Sequence, residues 1–427
     1  MFSGNNNLVK NTSHKVVLPF YLYAAFAFLA ATILLFLSTS SLNQHYFNPE
    51  ILAITHIMAL GWGTMMILGA SHQLVPVLIE GKLFSNILAH FSFITAAIGI
   101  PLLAYGFYVF NMGWPAQWGA ILINTAILSY LGNLTLSMIK RKKVNVHATF
   151  VLTAALWLFV TTLVGLLLVY NFSDPILPTN SLHYLSLHAH LGIIGWFLLL
   201  VIGVGSRLIP MFLISKYSNT RLLWVIFGLI NTGLVTFIIF FLYVPQKSFY
   251  LISFASILFG IGSFGYYCYH SFKQRIRKKV DEIMKISLLS VIMMLLPVIL
   301  LFIIIIWLLI NSINPQLVLV YGFVIFFGWI TAIILGMTFK TLPFIVWNKV
   351  YHLQAGLGKT PNPKDMFSNK IFSLMSIAYL AGFILFLIGV YLANNLLLKL
   401  ASFLLLLAAL FYNWNVLKIF SHKSVKS

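Results

Sequence analysis

The sequence is poor in acidic residues. Only six aspartates and glutamates occur in 427 residues, and they are Glu50, Glu80, Asp174, Asp281, Glu282 and Asp365. None of them lies deep inside an apolar segment. Proton-coupled transporters and pumps usually depend on carboxylates that are buried in the membrane. The shortage of such residues therefore argues against a transporter of that kind.

Cysteine is nearly absent as well. Cys268 is the single cysteine, which excludes a disulfide bond within the chain and any metal cluster held by several cysteines. Twelve histidines are present, and neutral imidazole is the commonest protein ligand for metals. Histidines inside the apolar segments are therefore the candidate metal ligands.

Charge is scarce overall, because charged residues make up 7% of the chain and hydrophobic residues 61%. Soluble domains average about 25% charged residues. The sequence predicts an all-α integral membrane protein, a single membrane domain over residues 1–427, whose first segment is retained and not cleaved as a signal peptide. The twelve predicted transmembrane helices cover residues 17–41, 51–79, 87–110, 117–139, 148–170, 183–214, 221–244, 249–271, 285–311, 316–347, 371–392 and 397–418.

The basic residues predict how the helices cross the membrane. The formal net charge is +20, and nearly all Lys and Arg residues outside the spans lie in the termini and the even-numbered loops. Lys247 and Lys399 are the exceptions, and Arg207 and Lys340 lie inside spans. Positively charged loops stay in the cytoplasm, so we expect a multi-pass protein of the bacterial inner (plasma) membrane with both termini cytoplasmic. The positive charge then faces the lipid bilayer, and we expect no nucleic-acid partner.

One sixteen-residue pattern occurs three times: Gly-Trp, six residues, Gly, six residues, Pro. It begins at Gly61, Gly195 and Gly328, at intervals of 134 and 133 residues. Such self-similarity indicates an internal repeat. Each repeat contains four predicted spans, so all three cross the membrane in the same direction. The sequence predicts three parallel pseudo-repeats at about 17–140, 148–272 and 285–420.

Two histidines occupy the same position in successive repeats. His56 has its equivalent at His190, whereas the third repeat has Phe323 there. Both positions lie one to two turns inside the predicted outer face. A histidine within a membrane helix is a functional-site hypothesis by default. Two histidines in register therefore favour ligation of a metal or of haem iron, and a hydrogen bond to a neighbouring helix is the structural alternative.

Three further histidines lie on the same two helices. His188 is two residues from His190 and points to nearly the opposite side of the helix. His183 is seven residues from His190 and shares its face. His72 lies about 24 Å along the helix from His56, so the two cannot share one centre. We expect His72 to extend towards the inner membrane surface.

Helices 2 and 6 resemble a known family in their motifs. The stretch HIMALGWGTMMILGASHQLVPVLIEGKLFS resembles the second helix of haem–copper oxidase subunit I, and HAHLGIIGWFLLLVIGVGSRLIPMFLI resembles its sixth helix. The twelve spans in three parallel groups of four also match that fold. The resemblance places His56 at a haem-ligand position and His188 or His190 at a copper-ligand position. The chain is similar as well to the NnrS-type haem and copper membrane proteins linked to nitric oxide.

The chain departs from the oxidase pattern at several places. Helix 10 has no histidine where the family has two, and Tyr321 is the only candidate ligand on it. Helix 7 lacks the histidine pair that holds copper, and no redox tyrosine follows His190. The polar and acidic residues that supply protons are missing. The resemblance is therefore to a degenerate member with a reduced haem or metal site.

The resemblance implies a cofactor and a class of function. We expect haem, and secondarily copper, near the outer face, in respiratory electron transfer or in the handling of nitric oxide or dioxygen. If the chain is an enzyme, it is an oxidoreductase of the haem–copper oxidase or nitric oxide reductase type. An electron donor or partner subunit would be needed. The alternatives are a cofactor-free scaffold that acts as a transporter or assembly partner, and a channel for a small neutral molecule.

The expected ligands follow from the same resemblance. His56 and His190 would be the axial haem ligands, or single ligands of separate centres. His188 and His183 would be candidates for a copper site or for support of a ligand. The repeated tryptophans Trp62 and Trp196 would form a wall of the haem site, with plain core packing as the alternative.

Overall fold

The computed structural model describes residues 12–79, 81–140, 145–276, 282–351 and 360–424. Within these ranges the chain is helical, and twelve helices are long and apolar enough to span a membrane. The predicted all-α membrane class and the number of spans are confirmed. In chain order the helices are α1 His14–Leu37, α2 Pro49–Leu78, α3 Asn86–Tyr108, α4 Trp114–Ile139, α5 Val146–Tyr170, α6 Leu185–Leu213, α7 Thr220–Tyr243, α8 Lys247–Lys273, α9 Ile283–Ile310, α10 Pro315–Tyr351, α11 Asn369–Tyr391 and α12 Asn395–Phe420.

Helix starts are set by side chains that cap the first turn. Asn48 and Asn314 precede prolines at the first turns of α2 and α10, and each asparagine accepts a hydrogen bond from a backbone N–H two residues later. Asparagine satisfies the unpaired donors of a helix start, and proline there has no N–H to lose. These caps fix where two central helices begin.

Exposed tryptophans mark the two membrane surfaces. Trp114 and Trp118 begin α4 and Trp307 lies near the end of α9, all on the side of the odd-numbered loops, which we call the odd-loop end. Trp224 begins α7 and Trp414 lies near the end of α12, on the opposite side. Tryptophan is enriched where a bilayer meets water. The apolar surface between the two groups is in contact with lipid.

The three helices that carry the Gly-Trp pattern form the centre of the bundle. In the most apolar 18-residue stretch of α2, α6 and α10, 61%, 67% and 67% of the residues are buried. In the other spanning helices the share is at most 50%. Each contains one stretch with wider i→i−5 hydrogen bonding, at Ile57–Thr64, Leu191–Leu198 and Val324–Ile330. These stretches are repeat equivalents, and each follows directly on the His56, His190 or Phe323 position. Such π-helical turns often mark functional sites.

The second glycine of the pattern allows close helix contact in every repeat. A Cβ atom added to Gly69 would lie 2.7 Å from Phe20 Cβ on α1, and one added to Gly336 would lie 2.5 Å from Ser287 Oγ on α9. Gly203 is packed in the same way against Phe150 on α5. Small residues let membrane helices approach each other closely. Each central helix is thus packed against the first helix of its own repeat.

The tryptophans of the pattern join one repeat to the next. Trp196 Nε1 donates a hydrogen bond to Thr64 Oγ1, and Trp62 Nε1 donates one to Thr331 Oγ1, both at 3.0 Å. Each acceptor lies two residues after the tryptophan of its own repeat. The third such position holds Leu198, and Trp329 Nε1 is buried with no hydrogen-bond partner in the described chain. The cycle of contacts is therefore closed at two of its three places.

Candidate functional site

A cavity of about 290 Å³ lies in the half of the bundle nearest the odd-loop end. Its walls come mainly from the N-terminal halves of α2, α6 and α10, together with parts of α3, α4 and α5. Most of the lining is aliphatic or aromatic, which is typical of ligand sites in proteins. The polar side chains in the lining are Tyr46, Thr55, His56, Thr64, Asn124, Thr161, Thr162, His188 and Tyr321.

Two histidines face this cavity from different helices. His56 on α2 and His188 on α6 have nearly parallel rings, with an interplanar angle of 18° and ring centroids 6.3 Å apart. When two imidazoles bind a single ion, each ligating nitrogen lies about 2 Å from the ion, so the two nitrogens are at most about 4 Å apart. The centres of the two rings are then at most about 6 Å apart. The 6.3 Å between the ring centres is at the upper end of this range, which corresponds to ligands on opposite sides of an ion.

The orientation of both rings is set by backbone carbonyls. His56 Nδ1 donates to the Leu52 carbonyl at 2.8 Å, and His188 Nδ1 donates to the Thr161 carbonyl at 3.1 Å. A carbonyl can only accept, so the proton must be on Nδ1 in both residues, and Nε2 keeps a lone pair. Metal-ligating histidines are held in this way by their second nitrogen. Both side chains are thus prepared for ligation through Nε2.

His190 lies outside the cavity lining, although it was the predicted partner of His56. Its Nδ1 donates to the Ser186 carbonyl at 2.7 Å, the repeat equivalent of the His56 contact. Its Nε2 accepts a hydrogen bond from the Tyr321 hydroxyl at 3.3 Å, and its ring packs against Phe237 on α7. The lone pair that would bind a metal is therefore used by Tyr321. The structure brings His56 together with His188, and His190 together with Tyr321.

The remaining predicted site residues are in three different environments. His183 is exposed beside Tyr184 and Phe241 and takes no part in the cavity lining. Trp196 does line the cavity, whereas Trp62 lies in the core, stacked on Phe28 with ring centroids 4.6 Å apart. Tyr321 lines the cavity.

Gly165 on α5 contributes to the site through its lack of a side chain. A Cβ atom at this position would lie 2.9 Å from His188 Cε1. Without it, the imidazole packs against α5 and reaches the Thr161 carbonyl one turn earlier on that helix. Nothing in the local sequence distinguishes Gly165 from other membrane glycines, because its role depends on a neighbouring helix.

The third repeat has an aromatic stack where the others have histidines. Phe323 lies face to face with Phe386, with ring centroids 3.6 Å apart, and also stacks on Phe327. Phe323, Phe327 and Phe386 all line the cavity. This wall supplies packing surface and no metal ligand.

The cations inside the spans are remote from the cavity lining. Arg207 and Lys340 each lie three residues before the proline of the Gly-Trp pattern, towards the opposite end of the bundle, and neither lines the cavity. Lys340 Nζ lies 5.8 Å from the centroid of the Phe212 ring. His72 is 1% exposed, so the expectation that it extends to the membrane surface is wrong. Its ring is enclosed by Phe20 and Tyr130.

No family model matches the sequence, and no curated protein is significantly similar to it. Among the described residues, no group of three or more His, Cys, Asp or Glu side chains is arranged to hold a metal ion. The histidines that line the cavity are His56 and His188.

Proposed function

We propose that this chain is a haem-binding membrane protein of respiratory electron transfer or of nitric oxide or dioxygen handling, with His56 and His188 as the iron ligands. The observation that carries the proposal is that His56 and His188, each with Nδ1 bonded to a backbone carbonyl, line one apolar cavity. The in-register pair expected from sequence is replaced in this proposal by His56 and His188, because Tyr321 already uses the lone pair of His190.

The residues present fit the iron-ligating and apolar parts of a haem site. Two neutral imidazoles are a common axial pair for haem iron, and Trp196, Phe197 and Phe326 provide aromatic walls. Bound haem iron would supply one-electron chemistry, and because two imidazoles complete its coordination, a diatomic gas would have to take the place of one of them. The chain's own part is to hold both Nε2 atoms in place and to keep water from the site. Among the described residues, no lysine or arginine lines the cavity to pair with haem carboxylates.

Copper is the second candidate for the same pair of ligands. Imidazole suits copper as well as iron, and thioether sulfur favours Cu(I). Met58, two residues after His56, lines the cavity. A single copper ion between His56 and His188 would need less space than haem in a cavity of about 290 Å³.

The location and orientation follow from the charge pattern. We place the protein in a bacterial plasma membrane with both termini in the cytoplasm, because the basic residues concentrate in the termini and even-numbered loops. The cavity would then lie near the outer face. An electron donor would meet the short odd-numbered loops or act through a partner subunit.

The test is an absorption spectrum of the detergent-purified protein, oxidised and then reduced with dithionite, with iron and copper measured on the same sample. We expect a Soret band equivalent to one haem per chain, which sharpens on reduction. His56→Phe and His188→Phe should lose it, and phenylalanine is a suitable replacement because Phe323 already occupies the His56 position in the third repeat.

Two control variants make the assignment specific. His183→Phe changes an exposed histidine outside the cavity lining and should keep the full spectrum. His190→Phe should also keep the bound metal. Loss of the metal in this variant would show that His190 is a ligand. Copper in place of iron, lost in the same two variants, would select the copper site. A folded wild-type protein with neither metal would overturn the proposal and favour a cofactor-free scaffold.

A further inference from the structure

His72 is a buried imidazole that the cavity does not use. Its Nδ1 donates to the Leu68 carbonyl at 2.6 Å, so the ring proton is on Nδ1 and Nε2 carries a lone pair. Nε2 is fully buried and has no hydrogen-bond partner in the described part of the chain. A buried acceptor that has lost its water and gained no donor is unfavourable. The position therefore needs a hydrogen-bond donor.

A second, smaller cavity lies beside this ring. Its volume is about 10 Å³, and Ser71, His72, Tyr130 and Asn133 are its polar lining residues. A cavity of roughly 10–15 Å³ holds one water molecule when at least two polar groups are in reach. The Tyr130 hydroxyl donates to Ser71 Oγ at 2.9 Å, and its oxygen keeps a lone pair. The size and the polar groups both match a single water molecule.

The equivalent position in the other repeats is completed by protein atoms. In the second repeat Ser206 takes the place of His72, and its hydroxyl is bonded by His147 Nδ1 at 2.9 Å. In the third repeat Phe339 is there, packed against Phe367 and Phe372. Of these three equivalent residues, only His72 has a buried side-chain atom with no hydrogen-bond partner among the described residues.

We infer that the pocket between α2 and α4 is a binding site for one water molecule. The water donates one hydrogen to His72 Nε2 and the other to the Tyr130 oxygen. It thereby links the inner half of α2 to α4 and satisfies the imidazole. The site is independent of the metal proposed for the larger cavity.

The test is radiolytic hydroxyl labelling of the intact protein in detergent, followed by mass spectrometry, because water bound beside a buried side chain is the source of its rapid modification. Tyr130 should be modified several-fold faster than Tyr412, a tyrosine that is likewise buried but lines neither cavity. Labelling in H₂¹⁸O should transfer the heavy oxygen to Tyr130.

The variant His72→Phe removes the lone pair and should slow the labelling of Tyr130 to the rate of Tyr412. Equal rates for the two tyrosines in the wild-type protein would show that the pocket is dry and overturn the inference. Fast labelling of Tyr130 that is unchanged in a folded His72→Phe variant would also overturn it, because the water would then not be held by His72.

Discussion

The first two repeats and the third share one packing scheme but differ in their polar groups. All three have the π-helical turn, the buried tryptophan and the glycine that faces the first helix of the repeat. The first two direct His56 and His188 into the central cavity, whereas the third fills its side with the stack of Phe323 on Phe386. The comparison separates residues that maintain the bundle from residues that are available for chemistry.

The shared glycines should show the largest effect on folding. Gly203→Ala places a methyl group against Phe150 and should lower the free energy of unfolding by about 1–3 kcal/mol, since overpacking forces helices apart. Gly205→Ala on the same helix meets its nearest atom at 3.4 Å, an ordinary contact, and should be neutral. Thermal unfolding in detergent measures both. Gly69→Ala and Gly336→Ala should behave like Gly203→Ala. Equal stability of Gly203→Ala and Gly205→Ala would contradict the close packing of the second glycine against the first helix of its repeat.

Gly165 should reveal what distinguishes the second repeat. Gly165→Ala moves the His188 ring, because the new methyl group would otherwise lie 2.9 Å from Cε1. We expect a changed absorption spectrum or lower metal content with little change in unfolding temperature. Gly262→Ala on α8 is the matched control, since an added Cβ there meets no atom within 4 Å. A Gly165→Ala variant with the wild-type spectrum would remove Gly165 from the site.

The tryptophan contacts between repeats should give a smaller effect. Thr64→Val leaves the Trp196 N–H unpaired and should cost about 1 kcal/mol of stability. Leu198 is the repeat equivalent of Thr64 and Thr331, so we expect Leu198→Thr to offer an acceptor to Trp329, whose Nε1 has no partner among the described residues. Leu198→Thr should therefore be less destabilising than Leu199→Thr, a change at an equally buried neighbour. Chemical or thermal unfolding of the three variants measures these changes in stability. Equal losses of stability in Leu198→Thr and Leu199→Thr would refute a hydrogen bond between position 198 and Trp329.

The membrane architecture was accessible from sequence because its signals are local. Hydrophobic length gives the spans, and the charge of each loop gives the expected direction of crossing. The repeated Gly-Trp pattern identified the three helices that the structure places at the centre. Histidines in the apolar runs indicated where chemistry was to be sought, and His56 and His188 were both among the candidates.

The choice between His188 and His190 was not accessible in the same way. The two residues lie roughly 200° apart around α6, so the rotation of that helix decides which ring meets the cavity. That rotation depends on the π-helical turn and on contacts with α5 and α10, at Thr161 and Tyr321. The register between repeats indicated His190 as the partner of His56. In the structure, the Tyr321 hydroxyl donates a hydrogen bond to His190 Nε2 instead, and His190 lies outside the cavity lining.

The sequence by itself determined the class of protein, its twelve spans and the threefold pattern, because apolar length and motif spacing depend on neighbours in the chain. The tertiary structure alone decided which imidazoles share a cavity, why Gly165 must lack a side chain, and why the lone pair of His72 is left without a protein donor. These properties depend on atoms of different helices that meet only after the bundle has packed, so no local pattern encodes them.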